Sequence, residues 1–197
     1  MKIVSEPKAQ NINYNWKISI GGDGGVGKTT FIHKYLTHKF MSDTKLTIGI
    51  QFHYHVMERH GMKLGINLWD LGGQEQFRVM LPHYVKGSIA AFVFFDLSRY
   101  STLLSTKKWI NIMKENTTGD IPIVLVGTKL DLVDPNEIGE LNQAAQKIVS
   151  DEKLQGYLVL SSKTGENVEE PVEKMVDLLL FQATGGKIGS SRIPMNV

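Results

Sequence analysis

Cysteine is absent from the chain. Without thiols there is no disulfide, no zinc–thiolate site and no thiol nucleophile, and prenylation and palmitoylation have no acceptor. That absence fits an intracellular protein, and a cytoplasmic location is the expectation. Long apolar runs are missing too. The longest, IAAFVFF (Ile89 to Phe95), is far too short to span a bilayer, and the polar opening MKIVSEPKAQNINYN has no signal-peptide pattern. Lys2 rather than glycine follows Met1, which removes a myristoylation signal. No covalent lipid anchor is expected, so membrane contact is predicted to be non-covalent or borrowed from a partner. Nor is there an excess of one charge: the formal net charge is +2, with no dense basic block, so nucleic-acid binding is not expected. Arginine is scarce, occurring only as Arg59, Arg78, Arg99 and Arg192.

What remains suits one folded domain. At 197 residues with 42% hydrophobic content the chain can bury a real core. WKISI (Trp16 to Ile20) reads as a short strand, followed by a helix carrying Phe31, Ile32, Tyr35 and Leu36. GIQFHYHVME and LGINLWD alternate around the glycine turn RHGMK, which predicts an antiparallel hairpin. AAFVFFD and IPIVLVGTK are continuous apolar runs, the mark of parallel strands covered on both faces. Between them STLLSTKKWINIMKEN reads as a helix with a serine cap, and NEIGELNQAAQKIV and ENVEEPVEKMVDLLLF as two more, separated by the strand GYLVLSS. Pro171 is tolerable only in the first turn of the last helix. The pattern predicts an α/β domain over residues 16–183, with a flexible extension over 1–15 and a glycine- and serine-rich tail over 184–197. Its ligand should lie at the carboxyl ends of the strands.

The stretch GDGGVGKTTF (Gly22 to Phe31) satisfies two phosphate signatures. Read as G-x-G-x-x-G it could open a dinucleotide-binding domain; read as G-x-x-x-x-G-K-T it is a P-loop. The dinucleotide reading wants an acidic residue about twenty positions on, at the end of a second strand. Asp43 is roughly there but sits in the polar segment SDTK, and Lys28 and Thr29 would have no role. The P-loop uses both. Backbone N–H groups of Asp23, Gly24, Gly25, Val26, Gly27 and Lys28 can form an anion nest, Lys28 can reach the outer phosphates, and Thr29, followed by Thr30, offers a hydroxyl to Mg²⁺.

Four companions support this choice. DLGGQ ends a strand, where Asp70 can hold Mg²⁺ through water and Gly73 can offer its N–H to a terminal phosphate. Thr47, in TIG, can reach the metal from the opposite side. TKLD (Thr128 to Asp131) closes one strand and SSK (Ser161 to Lys163) another.

With these motifs in this order, the chain resembles the Ras superfamily of small GTPases from about Trp16 to Ala183. TIGIQF looks Rab-like; WDLGGQ, LPHY, DLSRYSTL and VGTKLD look closest to the fungal septation and mitotic-exit GTPases, and the double glycine also resembles the Arf branch. The resemblance implies a P-loop small G domain: a mainly parallel six-stranded sheet with one antiparallel hairpin strand and helices on both faces. It implies bound GTP or GDP with Mg²⁺, and partners of three kinds: a GTPase-activating protein, an exchange factor and effectors. A monomer is expected. Phe40 falls where the family packs an aromatic against the base. Two positions depart from the commoner pattern. Thr128 replaces asparagine, as in Rho-type members, with a hydroxyl that can still bridge to the P-loop. Ser162 replaces alanine at a position used through its backbone N–H.

Within that resemblance, Asp131 is the candidate acceptor for guanine's N1–H and amine, with the Lys129 stem covering the base, Ser162 N–H meeting its carbonyl, and Ser161 and Lys163 alongside. A helix-cap or turn role is the plainer alternative for Asp131. Lys28 and Mg²⁺ would neutralise the β- and γ-phosphates, Thr47 and Gly73 would close on the γ-phosphate, and Gln74 would orient the attacking water. Gln74 could instead be an ordinary loop amide. No arginine is placed by the sequence to complete the site, and none precedes Thr47, so slow intrinsic turnover is expected.

His53, His55 and His60 allow a metal site, but solvent-facing strand histidines are the plainer expectation. Phe52, Trp69 and Tyr84, by resemblance to Rab proteins, form an exposed effector-reading triad; core packing is the alternative. The leading function is a GTP-hydrolysing switch. A nucleotide-held scaffold with little turnover and a P-loop small-molecule kinase are the competing readings.

Overall fold

In the computed structural model, residues 11–42, 46–136 and 138–190 are described, without the side chains of Glu75 and Phe77. Asp43, Arg192 and the outer parts of the two expected tails lie outside them. Six strands form one sheet in the order β2-β3-β1-β4-β5-β6. They are β1 (Tyr14–Gly21), β2 (Ile50–Arg59), β3 (Met62–Leu71), β4 (Ala90–Asp96), β5 (Ile123–Thr128) and β6 (Gly156–Val159). Only the β2–β3 pair is antiparallel. The two apolar runs read as covered strands, β4 and β5, are buried along their whole lengths, as the parallel centre of a two-sided sheet requires.

The helices are α1 (Lys28–Thr37), α2 (Leu81–Val85), α3 (Tyr100–Asn116), α4 (Ile138–Asp151) and α5 (Glu170–Ala183). Phe31 and Ile32 of α1 and Val172, Met175 and Val176 of α5 pack on one face with Ile18 of β1, Leu64, Ile66 and Leu68 of β3, and Phe94 of β4. Leu81 and Val85 of α2, Leu103, Trp109 and Met113 of α3, and Ala145 and Ile148 of α4 cover the other. Pro171 stands at the second position of α5, where its missing N–H costs nothing. The serine cap expected for α3 does not form. That helix starts at Tyr100, and Thr102 closes the corner instead, its hydroxyl accepting from Asp96 N (3.0 Å).

Strand β2 faces the opposite way from the plainer expectation for its histidines. Phe52 and Tyr54 are the exposed side chains, whereas His53 and His55 are half-buried toward α1. His55 meets the Tyr35 ring edge-on at 5.4 Å, and burial lowers its pKa, against the upward pull of Glu169. At the far end of the hairpin, Arg59 makes a two-point contact with Asp177 of α5 (2.8 and 2.6 Å), and His60 Nε2 lies 2.9 Å from the same carboxylate. Ser190 N–H donates to the Asp177 carbonyl at 3.1 Å, fastening the segment after α5 to the same residue.

Candidate functional site

The carboxyl ends of β1, β3, β5 and β6, the loops beyond them and the segment between α1 and β2 surround a cavity of ≈ 410 Å³. The loop after β1 runs straight into α1 with Gly27 in the left-handed region (φ 97°). Gly22 is required to be glycine: its φ is +143°, and a Cβ there would run into the Phe94 carbonyl. Gly24, Gly25, Gly27, Thr29 and Thr30 line the cavity floor. Lys28 is buried, and its Nζ donates to the Gly22 carbonyl (2.7 Å) and the Asp23 carbonyl (3.0 Å). Burial pushes its pKa down to about 8, opposed by the carboxylates of Asp70 and Asp23. A desolvated ammonium beside a glycine loop is an anion receptor, since a phosphate restores the compensation that water no longer supplies.

Thr29 and Thr47 hydroxyls lie 2.6 Å apart, and Thr29 donates to Asp70 Oδ2, so Thr47 donates to Thr29. Asp70 is fully buried and its Oδ1 has no hydrogen-bond partner among the described residues. Two hydroxyls and an unsatisfied carboxylate oxygen form an all-oxygen donor set, which suits a hard divalent cation such as Mg²⁺. Gly73 lies directly against the P-loop; a Cβ there would collide with the peptide joining Asp23 and Gly24. Gln74 lines the cavity beside it, with Oε1 accepting from Gln76 Nε2 at 2.9 Å.

The opposite wall carries Phe40, Thr128, Lys129, Asp131, Ser162 and Lys163. Thr128 donates its hydroxyl to the Val26 carbonyl, the bridge to the P-loop expected of it. Ser161 lies behind Asp131 and donates to its Oδ1. Lys129 takes a left-handed backbone (φ 59°) and ion-pairs with Asp96 Oδ2 at 2.7 Å.

The sequence candidates thus converge on one cavity, with four exceptions in how they take part. Val26, Asp70 and Ser161 sit behind the wall, and the Asp23 side chain points away, accepting from Trp109 Nε1 (2.9 Å) and facing Arg78 Nη2 (3.4 Å). Met41, Ser42, Leu46 and Leu132 line the cavity without having been expected. Two arginines stand beside the P-loop without lining the cavity: besides Arg78, Arg99 Nη2 donates to the Gly24 carbonyl at 3.4 Å. Neither arginine had a local signal, because each meets the P-loop only through tertiary packing. Asp96, which ends β4 on the same rim, could have been found from its position alone.

Phe52, Trp69 and Tyr84 form a continuous cluster. Phe52 meets Trp69 edge-on at 4.5 Å and Tyr84 lies 6.3 Å beyond, while Lys17 Nζ sits 3.3 Å over the Trp69 ring. Phe52 is 58% exposed; Trp69 and Tyr84 are half-buried. Among the described residues, no helix is long and apolar enough to cross a membrane.

A glycine loop with a buried lysine, a cluster of oxygen donors and a carboxylate-bearing wall on one α/β rim define a P-loop nucleotide-binding protein with the architecture of a small G domain. The Ras family model matches residues 17–180, and the chain belongs to that family. It is 34% identical over 179 residues to human Ras-related protein Rab-27B, covering 85% of this chain and 81% of the relative. It is 29% identical over 167 residues to Rab-11A of Dictyostelium discoideum, covering 85% and 77%. It is 27% identical over 186 residues to the probable Ras-related protein Rab-4A of Echinococcus multilocularis, covering 94% and 82%. The protein is a Rab-like small GTPase: it binds GTP and GDP, hydrolyses GTP to GDP and acts as a GTP-binding regulatory switch. Proteins of this kind work with activating proteins, exchange factors and effectors.

Proposed function

We propose that residues 16–183 form a Mg²⁺-dependent G domain that recruits effectors in its GTP state. The observation that carries this reading is the unpartnered, buried Asp70 Oδ1 beside the paired hydroxyls of Thr29 and Thr47. These three residues would hold Mg²⁺, which when bound offsets charge on the phosphates. Lys28 and the nest from Asp23 to Lys28 bind the phosphates, and Thr47 and Gly73 close on the terminal one. Asp131, backed by Ser161 and flanked by Lys129, Ser162, Lys163, Thr128 and Phe40, selects guanine. In hydrolysis a water oxygen bonds to the terminal phosphorus, the bond to the bridging oxygen breaks, GDP leaves with that electron pair, and the water's proton ends on the released phosphate. Gln74 orients the water.

The Gln76 amide donates to Gln74 Oε1, a contact that competes with aiming that side chain at a water. Intrinsic turnover is accordingly slow, and an activating partner speeds it by re-aiming that amide. Effectors read the junction of Phe52, Trp69 and Tyr84, because the segments bearing Thr47 and Gln74 adjoin its strands. The deciding experiment follows release of labelled GDP with Mg²⁺ and with excess chelator. Release should accelerate at least about tenfold on chelation, as expected when a cation neutralises bound phosphates. Equal rates would defeat the metal assignment.

A further inference from the structure

Arg99 lies 75 residues from Gly24 in sequence, yet its Nη2 donates to the Gly24 carbonyl at 3.4 Å. Its other contact ties the guanidinium to the end of β4: Nε donates to Asp96 Oδ2 at 2.8 Å, while 45% of the side chain stays exposed. The Thr102 hydroxyl also donates to the Arg99 carbonyl at 2.7 Å, fixing the corner between β4 and α3. Asp96 is a fully engaged hub, its side chain 1% exposed. Ser98 donates to Oδ1 through N–H (3.0 Å) and hydroxyl (2.6 Å), and Lys129 Nζ reaches Oδ2 at 2.7 Å. Burial pushes its pKa up, but the bonds from Lys129, Ser98 and Arg99 outweigh that and hold it low. One carboxylate therefore fixes both the lysine of the base wall and an arginine behind the phosphate loop.

The contact with Gly24 has an electrostatic consequence. In a phosphate nest the N–H groups face the anion and the carbonyls face away. The Gly24 carbonyl and the Gly25 N–H belong to one peptide unit. A guanidinium donating to that carbonyl polarises the unit, making the N–H on its other side a stronger donor. Arg99 Nη2 also lies within 3.7 Å of where a Gly25 side chain would begin.

We propose that Arg99 is a positioning residue for the GTPase reaction: a built-in cation behind the P-loop that strengthens the Gly25 N–H toward the outer phosphates. It favours triphosphate over diphosphate, because the more highly charged ligand gains more from it, and it speeds loss of the terminal phosphoryl group. This inference rests on the nucleotide site assigned above.

The test uses the full chain with Mg²⁺. GTP and GDP affinities, single-turnover hydrolysis and melting of the GDP-loaded protein are measured for wild type, Arg99→Gln and Arg99→Lys. Arg99→Gln should melt like wild type, lose GTP affinity about tenfold against about twofold for GDP, and hydrolyse about tenfold more slowly, as fits loss of one charge-assisted contact. Arg99→Lys keeps the charge and should hold its GTP-to-GDP affinity ratio within about threefold of wild type. Equal losses for both nucleotides in Arg99→Gln would mark a purely structural anchor and overturn the inference, as would a lysine variant as poor as the glutamine one. If Arg99→Gln folds badly, the affinity ratio of Arg99→Lys decides alone: retention supports the proposal and a tenfold fall overturns it, by the same charge argument. A wild type that binds no guanine nucleotide overturns the nucleotide-site reading and the inference together. A wild type that binds and hydrolyses GTP no better than Arg99→Gln overturns the inference alone.

Discussion

Ser161 donates its hydroxyl to Oδ1 of Asp131 at 2.5 Å, while Lys163 Nζ stands 3.8 Å from Oδ2. The Ser161 bond orients the carboxylate at the cavity wall, where on the proposed reading it would accept from both N1–H and the amine of guanine. Asp131→Asn puts a donor where two acceptors are needed. GDP affinity should fall at least about a hundredfold, given about 1.5–3 kcal/mol for each hydrogen bond to a charged group. Preference should move toward xanthine nucleotides, whose carbonyl suits the amide. Competition binding with GDP, XDP and ADP checks this; ADP competing with wild type as well as GDP does would defeat the base assignment.

On the proposed mechanism Gln74 acts in turnover and not in binding. Gln74→Leu should leave GTP affinity within about twofold of wild type and slow single-turnover hydrolysis about tenfold or more, most visibly with an activating partner. Phosphate release is the readout. An unchanged rate would remove Gln74 from the mechanism and favour the scaffold reading.

At the aromatic junction, Phe52 offers the cleaner substitution because it is 58% exposed. Phe52→Ala should weaken effector capture by protein loaded with a non-hydrolysable GTP analogue while shifting the melting temperature little. Trp69→Ala should weaken capture and also destabilise by about 2–4 kcal/mol, because the ring packs against Phe52 and Tyr84 and lies under Lys17. Retained capture with both variants would make the cluster packing only.

Stability should depend on pH through His55. Burial holds its folded pKa below the ordinary value, with Glu169 opposing. The unfolded chain therefore binds the proton more readily, and stability is lost as pH falls below about 6.5, the ordinary histidine value. Melting curves at pH 7 and pH 5 should show a smaller drop for His55→Phe, which keeps a ring against Tyr35, than for wild type. Identical drops would place the acid sensitivity elsewhere.

The sheet and the nucleotide cavity were legible because their signals are local. Continuous apolar runs mark β4 and β5, and glycine spacing with Lys28 and Thr29 marks the P-loop. The facing of β2 was less so. A period of two separates Phe52 and Tyr54 from His53 and His55, but cannot say which set turns inward. On this edge strand the choice is made by partners distant in sequence: Tyr35 of α1 takes His55, and Trp69 of β3 takes Phe52. Arg78 and Arg99 were missed for the same reason. Their positions beside Asp23 and Gly24 follow from where β4, α3 and the segment after β3 come together.

The grip of Arg59 on Asp177 reaches beyond its own end of the molecule. Strands β2 and β3 are paired from Ile50↔Leu71 to Arg59↔Met62, making one twisted ribbon. Thr47 and Gln74 hang from one end of it, and α5 clasps the other. Sliding β2 along β3 by a single residue would turn Phe52 inward and His53 outward, and would drag Arg59 off its carboxylate. The ribbon is therefore pinned in register from the end far from the nucleotide cavity, and the outward facing of Phe52 is set in part by a contact on α5.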